Sequence, residues 1–266
     1  MIAATISGPG IDPFAISADR GFYRSIDSVV LWDKSTTKGE LKTVTAGQVG
    51  ALLLRITPRI SEELLGVLDP TIKIELHAAA QRLSEERVPE TIQATVVEEV
   101  KLGTDIGFEG RALYFENPLG SVGPLPPKIE HETTYGILWE VTNTTSLVRE
   151  AEIVATLPPY VRWLGVVSPS VEHVTFNEND GTVTWHLGKL LPDTGVGDKL
   201  PRRVAFNIGL VPSASQLGQT PPIVQDQVLS GIDNFTSLPL SVETGDLNTQ
   251  LNELTSNKSC TASYQC

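Results

Sequence analysis

Residues 181–212, GTVTWHLGKLLPDTGVGDKLPRRVAFNIGLVP, decide the fold. Val183, Trp185 and Leu187 alternate with Thr182, Thr184 and His186. After a Gly/Pro/Asp loop, Val204, Phe206, Ile208 and Leu210 alternate with Arg203, Ala205, Asn207 and Gly209. A period of two over both runs predicts two strands, each with one buried and one wet face. The plan occurs a second time in residues 28–58, SVVLWDKSTTKGELKTVTAGQVGALLLRITP: Val30 and Trp32, a polar turn-rich loop, then Leu52, Leu54 and Ile56 alternating up to Pro58. The repeat predicts an all-β chain of two tandem β-sandwiches, and neither copy carries a recognisable reaction chemistry.

Composition narrows the function classes. The chain has 266 residues, 40% hydrophobic and 20% charged, which is the balance of a globular protein. Its net charge is −12 with no cluster of Lys and Arg, so a phosphate backbone would be repelled and nucleic acid is not an expected partner. No apolar run approaches the roughly 18 to 20 residues of a membrane helix. The first nine residues lack the basic start and apolar core of a secretory signal, so any export signal or anchor is expected outside this sequence. The two cysteines, Cys260 and Cys266, sit in the last seven residues. Neither sandwich can therefore carry an inter-sheet disulfide, and the CTASYQC spacing reads equally as a small disulfide loop or as part of a polar tail.

Taken in order, the chain divides into a sandwich over 1–104, a second over 105–251, and a polar tail over 252–266 expected to lack structure. In the first, Ala4-Thr5-Ile6 stands about as far before Trp32 as Ala155-Thr156-Leu157 stands before Trp185. SEELLGVL, residues 61–68, reads as one or two helical turns. Ile72, Ile74 and Leu76 alternate with Lys73, Glu75 and His77, and TIQATVVEEVKL, residues 91–102, closes the sandwich. A short strand is expected over 111–116, then a Pro/Gly-rich connector over 117–128. In the second sandwich Tyr135, Ile137, Trp139 and Val141 share a face, as do Ala151, Ile153, Ala155 and Leu157. NENDG, residues 177–181, reads as a tight turn with Asp180 and Gly181 at the positions that favour positive φ.

The two copies differ at one place. In the second, the stretch holding Tyr135, Ile137, Trp139 and Val141 precedes the strand that corresponds to the beginning of the sequence; the first has no such stretch. The N-terminal sandwich is thus expected to lack its first strands, as in a fragment of something longer. Each missing side chain would stabilise by roughly 1.5 to 3 kcal/mol, so four together rival the ~5 to 15 kcal/mol of a whole domain. The exposed edge and core are expected to loosen or to accept a strand from a neighbour.

The runs ATLPPYVRWLGVVSP, GTVTWHLGKL, RRVAFNIGLVPS and VLSGIDNFT, preceded by PPKIEHETTYGILWEVTNTT, resemble the Ig-like conserved-repeat domains of unknown function. These occur in tandem in large surface proteins of bacteria and archaea, especially candidate-phylum bacteria. The resemblance covers about 230 residues and departs from the pattern at the missing first strands and in the cysteine-bearing tail. It implies Ig-like sandwiches displayed outside the cytoplasm, with a structural, spacer or adhesive role, and it brings no catalytic residues.

The remaining candidates are few. Trp32, Trp139 and Trp185 stand on apolar faces and read as core anchors. Trp163, beside Tyr160, is the aromatic pair suited either to stacking on a sugar or to packing under a loop. Asp180, Asp193 and Asp198 offer oxygen ligands of the kind calcium takes, yet their spacing matches no dedicated calcium loop. His77 and His186 fall on wet strand faces, and His131 and His173 are isolated. Asn143, Asn234 and Asn257 head glycosylation sequons. No Ser/His/Asp or Cys/His set can be nominated, and Glu62-Glu63, Glu85-Glu86 and Glu98-Glu99 point to opposite faces of extended chain.

The sequence therefore predicts a non-catalytic structural, spacer or adhesive module of a larger cell-surface or secreted protein, without a cofactor. Its expected partners are neighbouring repeats of the same chain or other surface components. The alternative is a glycan- or calcium-binding module using the loops near Trp163 and Asp180.

Overall fold

A computed structural model describes residues 1–59, 61–83 and 87–251. The tail with Cys260 and Cys266, the sequon at Asn257 and the pair Glu85-Glu86 lie outside the described residues. The chain forms two compact units, Met1–Gly103 and Thr104–Cys266. Among the described residues no helix is long and apolar enough to cross a membrane.

The first unit runs through β1 (Ile2–Ser7), β2 (Ile11–Ala18), β3 (Phe22–Arg24), β4 (Val29–Trp32), β5 (Leu54–Pro58), β6 (Thr71–Leu83) and β7 (Pro89–Lys101). One antiparallel sheet has the order β3-β4-β1-β6-β7, and β2 pairs with β5 in a second. A short 3₁₀ turn at Ser61–Leu64 is what forms of the expected helical piece. The core between the sheets is Ala4, Ile6, Ile11, Ile16, Val30, Trp32 and Ile72. Trp32 is buried and its indole Nε1 donates to the Asp19 carbonyl at 3.0 Å.

The second unit runs through β8 (Ile106–Leu113), β9 (Thr133–Asn143), β10 (Val148–Thr156), β11 (Val161–Ser168), β12 (His173–Asn177), β13 (Thr182–Leu190), β14 (Arg202–Leu210), β15 (Pro222–Asp233), β16 (Pro239–Thr244) and β17 (Leu247–Asn248). One sheet has the order β12-β13-β10-β15-β16 with β17 also against β15; the other has the order β11-β14-β9-β8. Tyr135, Ile137, Trp139 and Val141 point into the core, where Trp139 meets Phe206 edge to face at 4.8 Å between ring centres. Ile153, Trp185, Val204, Phe206 and Ile208 are fully buried.

The sheet orders superimpose strand for strand: β1 on β10, β2 on β11, β3 on β12, β4 on β13, β5 on β14, β6 on β15 and β7 on β16. Register agrees as well, since Ile2 lies opposite Trp32 and Ile153 opposite Trp185. Among the described residues of the first unit nothing occupies the place of β8 and β9.

Several expectations need correction. A strand forms over Ile11–Ala18, where none was read, because Pro13 and an irregular register between Ile11 and Ile16 hide its alternation. The strand expected over 111–116 is Ile106–Leu113, pairing along its whole length with β9; Gly107 and Gly110 lie inside it. The strand expected over 91–102 forms as β7, the edge strand of its sheet, and its residues are all exposed. In the NENDG turn only Gly181 takes positive φ, at +74°, and Asp180 does not.

Candidate functional site

An apolar groove in the first unit has a volume of about 780 Å³. Its floor is the inner face of β1 and β6, with Ile2, Ile72, Ile74 and Leu76. One wall is β5 with Leu54 and Ile56 and the other is the inner face of β7 with Glu98 and Val100. Loop residues Leu41, Val44 and Leu52 line its mouth. The loop leaves β4 through turns held by the Asp33 carboxylate, which accepts from the backbone N–H of Ser35 at 2.7 Å and of Thr36 at 2.9 Å. Those two backbone donors hold the Asp33 carboxyl below its usual range.

The groove exists because the sheets face each other over unequal widths. β5 pairs with β2 on one edge, and on the other edge the described residues supply no strand. In the second unit β14 has β11 on one side and β9 on the other. Leu54 and Ile56 remain half-buried in consequence, whereas their counterparts Val204 and Phe206 are fully buried. Val96 and Val100, on the β7 face that would meet a counterpart of β8, are 51% and 47% exposed.

A second, shallow depression lies in the second unit around Pro159, Tyr160, Arg162, Trp163, Phe176 and Glu178. Trp163 is half-buried: one face stacks on Phe176 at 5.8 Å and the ring tilts against Phe206 at 5.2 Å. Tyr160 donates its hydroxyl to the Pro222 carbonyl at 2.8 Å, and its partial burial raises its pKa. Much of the aromatic surface read as a sugar platform is thus already engaged in packing.

Each acidic loop bonds within itself. The Asp180 carboxylate accepts from the Thr182 backbone N–H at 3.0 Å and the Asn177 amide at 2.9 Å, and the Thr182 backbone bond leads in holding its carboxyl low. Asp193 pairs with Lys199 at 3.0 Å. Among the described residues no three His, Cys, Asp or Glu side chains come together in a way that could hold a metal ion. Asn143 heads a sequon, yet its side chain is fully buried. It donates to the carbonyls of Ser146, Leu190 and Leu191, at 2.7, 3.2 and 3.0 Å, and accepts from Thr104 Oγ1 at 2.7 Å.

Two constellations were invisible in the linear sequence. His173 and His186 lie opposite each other on β12 and β13 with ring centres 5.2 Å apart, and Glu152 is 3.8 Å from His186 on the next strand. Glu172, just before β12, receives Arg202 at 3.0 and 2.8 Å and the Trp185 indole N–H at 2.8 Å. Burial alone would push the Glu172 carboxyl up, but the donors from Arg202 and Trp185 outweigh it and the carboxyl stays below its ordinary range. This cluster ties the start of β12 to β14 beside the core tryptophan.

No family model matches the chain, and no curated protein matches it. A solved structure described as "Putative membrane anchored protein from Corynebacterium diphtheriae" is similar at 11% identity with a TM-score of 0.30. The match covers 92% of this chain and 52% of that one, so this chain spans about half the length of that neighbour.

Proposed function

We propose that the chain is a non-catalytic structural module of a larger cell-surface or secreted protein, a spacer or adhesive segment in an array of Ig-like repeats of the conserved-repeat kind. The observation that carries this reading is the path of the backbone through the second unit. Thr104 N–H is held by Asp233 at 3.0 Å while Asn248 lies opposite Pro222. These are the two ends of β15, at most about 35 Å apart.

A chain that enters at one pole and leaves at the other transmits load along its strands. Antiparallel ladder bonds run across the strands, so a pole-to-pole pull strains many of them together. The net charge of −12 argues against nucleic acid as a partner and suits neighbouring repeats or other surface components.

Single-molecule force spectroscopy on the full chain tests the reading. Handles at Thr104 and Asn248 pull pole to pole, and handles at Thr104 and Asn234 pull at one pole. Severalfold higher unfolding force is expected in the first geometry, and equal forces would reject the spacer role. The depression beside Trp163 favours a second reading, recognition of a glycan, with calcium at the Asp180 turn as its companion. A ligand that binds only the native state must raise the melting temperature, so a shift with calcium or a hit on a glycan array would favour that reading instead.

A further inference from the structure

The geometry points to a site for a divalent transition-metal ion of the zinc class on the outer face of the second unit, shared between His173 of β12 and His186 of β13. The inference stands independently of the spacer role, since it rests on two imidazoles and a carboxylate and not on how the chain carries load.

The two histidines lie directly opposite each other on antiparallel strands, where the Cβ atoms of facing residues stand about 4.5 to 5.5 Å apart on one face of the sheet. Both are exposed, and their ring centres are 5.2 Å apart. Zinc holds an imidazole nitrogen at about 2.0 to 2.1 Å, which puts each ring centre about 3.2 Å from the metal and, at the tetrahedral angle, the two ring centres about 5.2 Å from each other. The pair thus already has the spacing that a shared ion requires. Rotation of the exposed rings about their side-chain bonds aims both nitrogens at it.

Glu152 sets which nitrogen of His186 is available. It lies opposite His186 on β10, with its Oε2 3.8 Å from Nδ1. An ionised carboxylate only accepts, so it favours the tautomer with the proton on Nδ1. Nε2 then keeps its lone pair and faces β12, where the Thr175 hydroxyl stands 3.2 Å away as a donor that an ion would displace. A histidine that ligates through one nitrogen and gives its other N–H to a carboxylate is the usual arrangement around a metal. Glu152 therefore orients and does not ligate, and two imidazoles leave the other positions of the ion to water.

There is room for that water. Gly188, next on the same face of β13, would meet nothing within 4 Å even with a Cβ, and a depression runs over Glu152, His186 and Gly188. Imidazole nitrogen suits zinc, copper or nickel, whereas calcium and magnesium take oxygen. The net charge of −12 raises the local concentration of cations. β12 is an edge strand of five residues paired with β13, so an ion bound across the pair staples that edge to its sheet.

The test uses the full chain without an affinity tag, with Cys260 and Cys266 replaced by Ser, and zinc chloride as the probe. Calorimetric titration should show one ion per chain, and hydrogen exchange across 173–177 and 182–186 should slow with zinc and not with calcium. His173→Gln and His186→Gln should each abolish binding over the zinc range that saturates the parent chain. Glu152→Gln, which keeps its size and loses the charge, should weaken binding by about tenfold.

If a histidine variant impairs folding, imidazole NMR spectra of the chain with its native histidines still decide: the His173 and His186 signals should move with zinc while those of His77 and His131 stay. Unmoved His173 and His186 signals up to millimolar zinc overturn the proposal. Full affinity in the chain carrying both His173→Gln and His186→Gln does so as well, because the ion would then sit elsewhere. Equal competition by calcium would overturn it too, since an oxygen site takes that ion.

Discussion

Ile2 and Ile153 occupy the same repeat position, one facing an open groove and the other a closed core, so truncating both measures what the absent strand is worth. Ile153 is fully buried, opposite Trp185 and Leu229 on its flanking strands. Ile2, opposite Trp32 and Ala78, lines the groove and is half-buried.

Ile→Ala removes three carbons, worth about 2.4 kcal/mol of transfer free energy at full burial. At Ile153 the vacated space is walled on every side, and the cavity brings the loss to about 3 to 4 kcal/mol. At Ile2 about half of the transfer term is already forfeited to solvent and no new cavity forms, so the loss is about 1 kcal/mol. For a unit of about 150 residues, 3 kcal/mol lowers the melting temperature by about 6 to 12 °C.

Hydrogen exchange of β1 and β10 in graded urea reads the two units separately within the full chain. The Ile153→Ala chain should lose about three times as much opening free energy in β10 as the Ile2→Ala chain loses in β1. Equal losses would mean that Ile2 is enclosed in solution and would refute the open-groove description.

Two other substitutions probe the polar pins of the second unit. Glu172→Gln removes the charge facing Arg202 while keeping an acceptor for Trp185, and is expected to lower stability by about 1 to 2 kcal/mol near neutral pH. Because the folded carboxyl lies below its unfolded value of about 4.3, that contribution is complete above the unfolded value. It fades as pH falls through the folded value, so urea melts of the two proteins should converge in acid; a gap that persisted there would rule out a charge effect. Asn143→Ala deprives Thr104 Oγ1 and three carbonyls of their partner and should cost about 2 to 4 kcal/mol. Exchange should quicken around 104–105, 143–146 and 190–194, and an unchanged chain would show that water replaces the amide.

The strands that read clearly were those whose alternation is strict. Val183-Thr184-Trp185 and Val204-Ala205-Phe206 announce a buried and a wet face because side chains on an extended backbone point to opposite sides. β2 escaped because Phe14, in its irregular middle, is 93% exposed and interrupts the pattern. The burial of Trp32, Trp139 and Trp185 followed from their phase. Neither the pairing of His173 with His186 nor the convergence of Glu172, Arg202 and Trp185 could be foreseen, since both depend on cross-strand register between segments far apart in sequence.

By itself, then, the sequence determined strand periodicity and with it the all-β class. That is a local property, written in side-chain order. Only the tertiary structure decided that an apolar groove lies beside β5, that the acidic turns close on their own backbone, and that the sequon at Asn143 is a buried brace. Each of these depends on which strands stack and in what register, a long-range balance of burial and pairing that no single stretch encodes.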